Sequence, residues 1–193
     1  MALVIVKGKR DRRNFEGATY HITCRCNNQE HLFKDQRHFE EYLNVVRKSK
    51  ELYDFKLHNY IVMNNHVHLL IRLGEDANIS LIMHSINRRY AQWYNCIYER
   101  KGHFWENRFF GDLIETDLRL LTVSIYSDMN PVRAGMCDSP TEWEYSGAGY
   151  YIEGEENDLI DPPDIYLNLG NDMKSRRDIY GGISCAYYDC LKK

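Results

Sequence analysis

The sequence predicts an α+β fold, a ferredoxin-like sandwich whose antiparallel sheet carries helices mainly on one face. Three observations point there. Segments of two-residue alternation are interleaved with segments of helical spacing, their order before residue 137 is βαββαβα, and no Pro/Gly-rich or polar run long enough to be a linker interrupts residues 17–136. With 193 residues, 44% of them apolar, the chain is long enough to bury one substantial core.

Residues 18–26 alternate Tyr20, Ile22 and Cys24 against Thr19, His21 and Thr23, the pattern of a first strand. Phe39, Leu43 and Val46 recur at helical spacing behind Asp35, a capping residue, so a helix is expected over about 35–51. Two apolar runs at roughly 55–63 and 66–72 flank Asn64-Asn65 and read as a hairpin. Asn78 can cap a long second helix whose stripe includes Leu81, Ile82, Ile86, Tyr90, Trp93 and Ile97 and which ends near Lys101-Gly102. A fourth strand lies within the aromatic-rich stretch 104–114. Thr116 then opens a third helix through Leu120, Leu121 and Ile125 to Met129, where Pro131 stops it.

Charge divides the chain in two. Residues 1–136 carry 20 Lys/Arg against 16 Asp/Glu, a net +4, whereas 137–193 carry 5 against 12, a net −7. The division sets one domain, 1–136, apart from an acidic C-terminal extension, 137–193, expected to be an extended and partly ordered appendage. The basic body, with Arg12, Arg13, Arg88, Arg89 and Arg108, suits a polyanion or simply a solvated surface. Six cysteines lack framework spacing, Lys7 follows an apolar start too short for a signal segment, and no run approaches a membrane span; free thiols in a reducing cytoplasm are expected.

His66-Val67-His68 is the most chemical of the motifs. On a strand, both imidazoles leave the same face and can grip one metal ion while Val67 points into the core. Tyr126 and Asn130, four apart, put a phenol and an amide oxygen on one helical face. A His/His/amide set facing a tyrosine would suit Mg²⁺ or Mn²⁺ with open coordination positions, and zinc is the other option. The stripe Tyr90, Tyr94 and Tyr98 beside Arg88-Arg89 competes as a source of nucleophile, or as core or base-stacking surface. The other histidines, His21 among them, show no pairing and receive no chemistry.

Four stretches, in this order, resemble the single-tyrosine HUH (IS200-like) transposases, and most closely their REP-associated branch (REP, repetitive extragenic palindrome). They are Tyr20-His21-Ile22-Thr23-Cys24-Arg25, residues 59–70 around His66 and His68, Gly102-His103-Phe104-Trp105-Glu106-Asn107-Arg108-Phe109, and residues 126–135 from Tyr126 through Asn130-Pro131-Val132-Arg133. The resemblance spans about residues 14–136 and implies that the domain over 1–136 is catalytic. It implies His66, His68 and Asn130 as ligands of a divalent cation and Tyr126 as the nucleophile. The implied reaction is cleavage and rejoining of single-stranded DNA beside hairpins through a 5′-phosphotyrosine, with Arg12, Arg13, Arg88, Arg89, Trp105 and Arg108 as candidate DNA contacts. Relatives occur as monomers and homodimers. Two departures stand out: Ser127 replaces a usual aliphatic residue, and Cys26 a common glycine. The competing functions are a non-cleaving binder of DNA hairpins and a metal-dependent phosphodiesterase in which Tyr126 is structural.

Overall fold

The computed structural model describes residues 14–191. Four strands, β1 (Thr19–Arg25), β2 (Phe55–Val62), β3 (His66–Leu73) and β4 (Phe110–Ile114), form one antiparallel sheet in the order β2-β3-β1-β4. With helices α1 (Gln36–Leu52) and α2 (Ile79–Ile97) between them, this is the ferredoxin-like arrangement the alternation predicts. Asp35 caps α1 by accepting from the backbone N–H of His38, whose ring in turn accepts from the Asp35 N–H, a capping box closed by histidine. Asn78 caps α2 through its side-chain oxygen. That helix stops at Ile97, short of residue 101, where the chain turns through the left-handed Glu99.

Register sorts the side chains. Tyr20, Ile22 and Cys24 stand opposite Ile71, Leu69 and Val67, and this face meets α1 and α2 in the main core. Phe33, Tyr42, Tyr90 and Phe104 stack and interlock there at ring separations of 5.1 to 5.8 Å. The other face carries His21, Thr23, His68, Leu70 and Asp112. Helix α3 (Asp117–Asp128) crosses this second face, packing Leu120 and Val123 onto Leu70 and Ile114. The two long helices therefore share one side of the sheet and the helix bearing Tyr126 takes the other. A one-residue bulge in β2 between Leu57 and Asn59 turns Asn59 onto that second face, under α3.

The extension beyond residue 137 is not the loose appendage that its charge suggests. Its backbone runs beside β2, Val62 donating to Tyr145 O, Gly147 to Tyr60 O and Asp161 to Leu57 O. Gly147 passes so close that a Cβ there would lie 2.1 Å from Asn59 Oδ1. A short π-helical turn (Gly149–Glu153), the short helix α5 (Asp164–Leu167) and helix α6 (Met173–Leu191) follow. Tyr151, Tyr166 and Tyr180 pack together inside the same core as α1 and α2. The aromatic residues supply the burial, each large ring contributing a few kcal/mol, that the net charge of −7 conceals. Two of the acidic residues are used inside the molecule: Asp158 and Asp161 pair with Arg47 and Lys50 of α1.

Candidate functional site

Residues Met63 to His66 close the hairpin between β2 and β3, Met63 N–H donating to His66 O at 2.8 Å. Neither Asn64 nor Asn65 takes the left-handed backbone that the primed two-residue turns require. Their role is different: the Asn64 and Asn65 carbonyls accept from Phe33 and Cys26, and the Asn65 side chain serves the neighbouring histidine.

His66 and His68 sit on the same face with ring centroids 5.0 Å apart. Asn65 Oδ1 lies 2.6 Å from His66 Nδ1. A carboxamide oxygen only accepts, so Nδ1 carries the proton and Nε2 keeps its lone pair. His68 Nδ1 is 2.8 Å from His21 Nε2 and 3.0 Å from Thr23 Oγ1. When that Nδ1 donates to His21, the Nε2 of His68 is also free to ligate. Burial pushes His66 and His21 down to about 4, and holds His68 well below 6.5 with the added repulsion of its histidine neighbours. All three rings are therefore neutral near pH 7, the form that binds metals.

His21, to which the sequence alone gave no chemistry, is thus part of the site. Asp112 opposite it on β4 acts on its charge, and Asp112 is itself tied to Arg119 at 2.6 Å. A ligating imidazole is commonly oriented by a partner on its other ring nitrogen, and His21 holds that place behind His68. The alternation of β1 shows that His21 and Thr23 share a face. Only the pairing of β1 with β3, strands more than 40 residues apart, shows that the face is that of His68.

Tyr126 is half-buried on α3, with the Arg133 guanidinium 4.4 Å above its ring. The charge of Arg133 also bears on His68 and on Tyr187 of α6, so one arginine covers the phenol and acts on an imidazole. Asn130 opens the short helix α4 (Asn130–Arg133) and its Nδ2 donates to the Ser127 and Tyr126 carbonyls at 3.1 and 3.4 Å. That leaves its Oδ1 as the end open to a ligand. Two neutral imidazoles and an amide oxygen, brought onto one ion, would make a sparse N, N, O donor set of the kind that suits a divalent cation. Among the described residues, no group of three His, Cys, Asp or Glu side chains is placed to hold a metal.

Helix α3 is anchored by a buried polar network. Asn59 Nδ2 donates to Ser124 Oγ at 2.7 Å and to Asp128 Oδ1 at 2.8 Å, and Tyr180 of α6 donates to Asp128 Oδ2 at 2.7 Å. The Ser127 hydroxyl is buried and donates to Val123 O at 2.8 Å. The competing tyrosines lie elsewhere. Tyr90 and Tyr94 are buried beneath α2 in the main core, on the far side of the sheet, and Tyr90 donates to His38 O; burial raises its phenol far above the ordinary range. Tyr98 is exposed and bonded to His38 Nε2.

Of the expected DNA contacts, Arg88, Trp105 and Arg108 line one cavity between α2 and the 102–109 loop. Arg89 is exposed on α2 outside it, and Arg12 and Arg13 fall outside the described residues. Among the described residues no helix is long and apolar enough to cross a membrane.

A ferredoxin-like sheet that pairs histidines on the interior strand β3 and lays a tyrosine-bearing helix over the same face is the arrangement expected of the tyrosine transposases. The comparisons agree. Residues 14–128 match the model of the family described as IS200-like transposase. The chain belongs to the IS200-like transposase family. It is 25% identical over 179 residues to a Haemophilus influenzae protein assigned as a REP-associated tyrosine transposase, a match spanning 87% of this chain and 98% of the relative. The solved structure of a REP-associated tyrosine transposase bound to a REP hairpin has the same fold, with a TM-score of 0.63 and 20% identity over 79% of this chain and 93% of that one.

Proposed function

We propose that this protein cleaves and rejoins single-stranded DNA beside hairpins, with Tyr126 as the nucleophile. The observation that carries the reading is the placement of two histidine rings, 5.0 Å apart, and an arginine-covered phenol on one face of the sheet. The hairpin partner is taken from the REP-associated relative and from the solved structure, which holds a REP hairpin.

A cation held by His66, His68 and Asn130, Mg²⁺ or Mn²⁺ by the hardness of the oxygen it shares with substrate, would withdraw charge from the scissile phosphate. The remaining work falls to the chain itself. Arg25 and Arg133, whose charges both bear on His68, hold the phosphate in a cationic setting. The Tyr126 oxygen attacks phosphorus after its proton passes to solvent, a bond forms from phenol oxygen to phosphorus, and the bond to O3′ breaks. The products are a 5′-phosphotyrosine and a free 3′-OH, which takes up a proton. Attack by the 3′-OH of another strand reverses the step and joins DNA. The bond from Asn59 to Asp128 holds α3 on its own sheet, which supports Tyr126 acting with the histidines of its own subunit.

The test is a denaturing gel of the protein with hairpin oligonucleotides and Mg²⁺ or Mn²⁺. A covalent adduct is expected from wild type and none from Tyr126→Phe, with DNA binding retained. Cleavage without an adduct would establish a phosphodiesterase, and binding without cleavage a hairpin binder.

A further inference from the structure

We propose that the cavity between α2 and the 102–109 loop receives one unpaired nucleobase of the strand whose phosphate lies at the histidines. The inference rests on the strand-cleavage reading above and adds the site that grips the strand by its bases. The cavity measures about 660 Å³, the scale of small-ligand sites. Its walls combine the chemistry a base needs. Trp105, partly exposed, offers aromatic surface, and its ring is fixed by Nε1–H donating to Asn87 O at 3.0 Å. Arg88 and Arg108 are exposed at its rim, without an ion-pair partner among the described residues, where a sugar-phosphate backbone would run.

Position ties the cavity to the chemistry. A second hollow of about 310 Å³ is lined by Thr23 and Arg25, and Thr23 touches His68. The two spaces share Glu106, Asn107 and Arg108 as a common wall. A strand leaving the histidines can therefore pass Arg25 and Arg108 and turn a base inward onto Trp105. Stacking on a fixed aromatic ring is the usual way single strands are held without pairing.

The experiment compares, by fluorescence anisotropy on the full chain, a twelve-nucleotide deoxyadenosine oligomer with an abasic oligomer of equal length and charge. Wild type should prefer the oligomer with bases by about tenfold, the scale of one base stacked on an aromatic side chain. Ala91→Trp, which fills the cavity from α2, should bring that ratio near one while the abasic oligomer binds as before. His84→Trp, from an exposed position on the same wall, repeats the measurement and decides the matter where Ala91→Trp loses both affinities. No preference for bases in wild type, or a preference that survives both variants, overturns the proposal. Adduct formation with hairpin oligonucleotides is scored in parallel. An adduct without base preference defeats the cavity alone, whereas a base preference that the variants erase supports the cavity even where no adduct forms and strand cleavage is lost as a reading.

Discussion

Asp128→Asn should make the protein more stable, and increasingly so as pH rises. Asp128 is fully buried at the end of α3, accepting one hydrogen bond from Asn59 and one from Tyr180. Burial outweighs both bonds and pushes its carboxyl from 3.8 up to about 7. The native state therefore holds this proton more tightly than the unfolded chain does. Its contribution to stability is complete below 3.8, declines as pH climbs from there, and is lost once pH passes about 7. At 1.36 kcal/mol per pK unit, the full loss is roughly 4 kcal/mol. The histidines slope the other way. His21 and His66 are lowered from 6.5 to about 4, so their stabilisation is complete above 6.5 and decays as pH falls toward 4. Between about pH 4 and 6.5 the two histidines outweigh the single carboxyl, so wild type should gain stability as pH rises through that window. An asparagine keeps an acceptor for Asn59 and gives Tyr180 a donor, whose own hydroxyl proton then turns to Ser124 Oγ 2.9 Å away. Urea unfolding in the presence of a chelator, at pH 5 and pH 8.5, should show the gap between variant and wild type widening by about 3 kcal/mol. A gap that stays constant, or a variant less stable than wild type at pH 8.5, would refute the assignment of a protonated, buried carboxyl.

Three further outcomes follow from particular contacts. His21→Ala removes the group that sets the His68 ring, and calorimetric titration with Mn²⁺ should show affinity weakened by about 10- to 100-fold with the melting temperature little changed. Gly147→Ala drives a methyl group into Asn59, which its own hydrogen bonds hold in place, and should cost about 1–3 kcal/mol in chemical denaturation. Asp35→Ala opens the capping box of α1 and should cost about 1 kcal/mol, read as a lower thermal midpoint.

What could be read from the chain was whatever is encoded locally. The alternation through His66, Val67 and His68 fixes which side of β3 each residue takes, and Tyr126 and Asn130 are neighbours because they are four apart. The order of elements sufficed for the sheet. What escaped was set by pairing across distance. His21 joins His68 only through the register of β1 on β3, and no local pattern announces it. Asn65 passed for turn chemistry, though its side chain fixes the proton on His66. The extension was misjudged because net charge averages over residues, whereas burial is decided by where Tyr151, Tyr166 and Tyr180 fall. Likewise, the crossing of α3 to the second face follows from Asn59, a polar residue that the β2 bulge turns beneath it.

The bond from Tyr180 to Asp128 has a consequence for anyone trimming this chain. The stretch matched by the family ends at residue 128, so a fragment cut to that length would keep the histidines but discard the hydroxyl that caps its last carboxylate. A fragment ending at 136 would retain the tyrosine helix and strip away its roof, exposing Ser124 and Asp128 to water. The acidic tail is thus a keystone of the enzyme rather than its trailing edge.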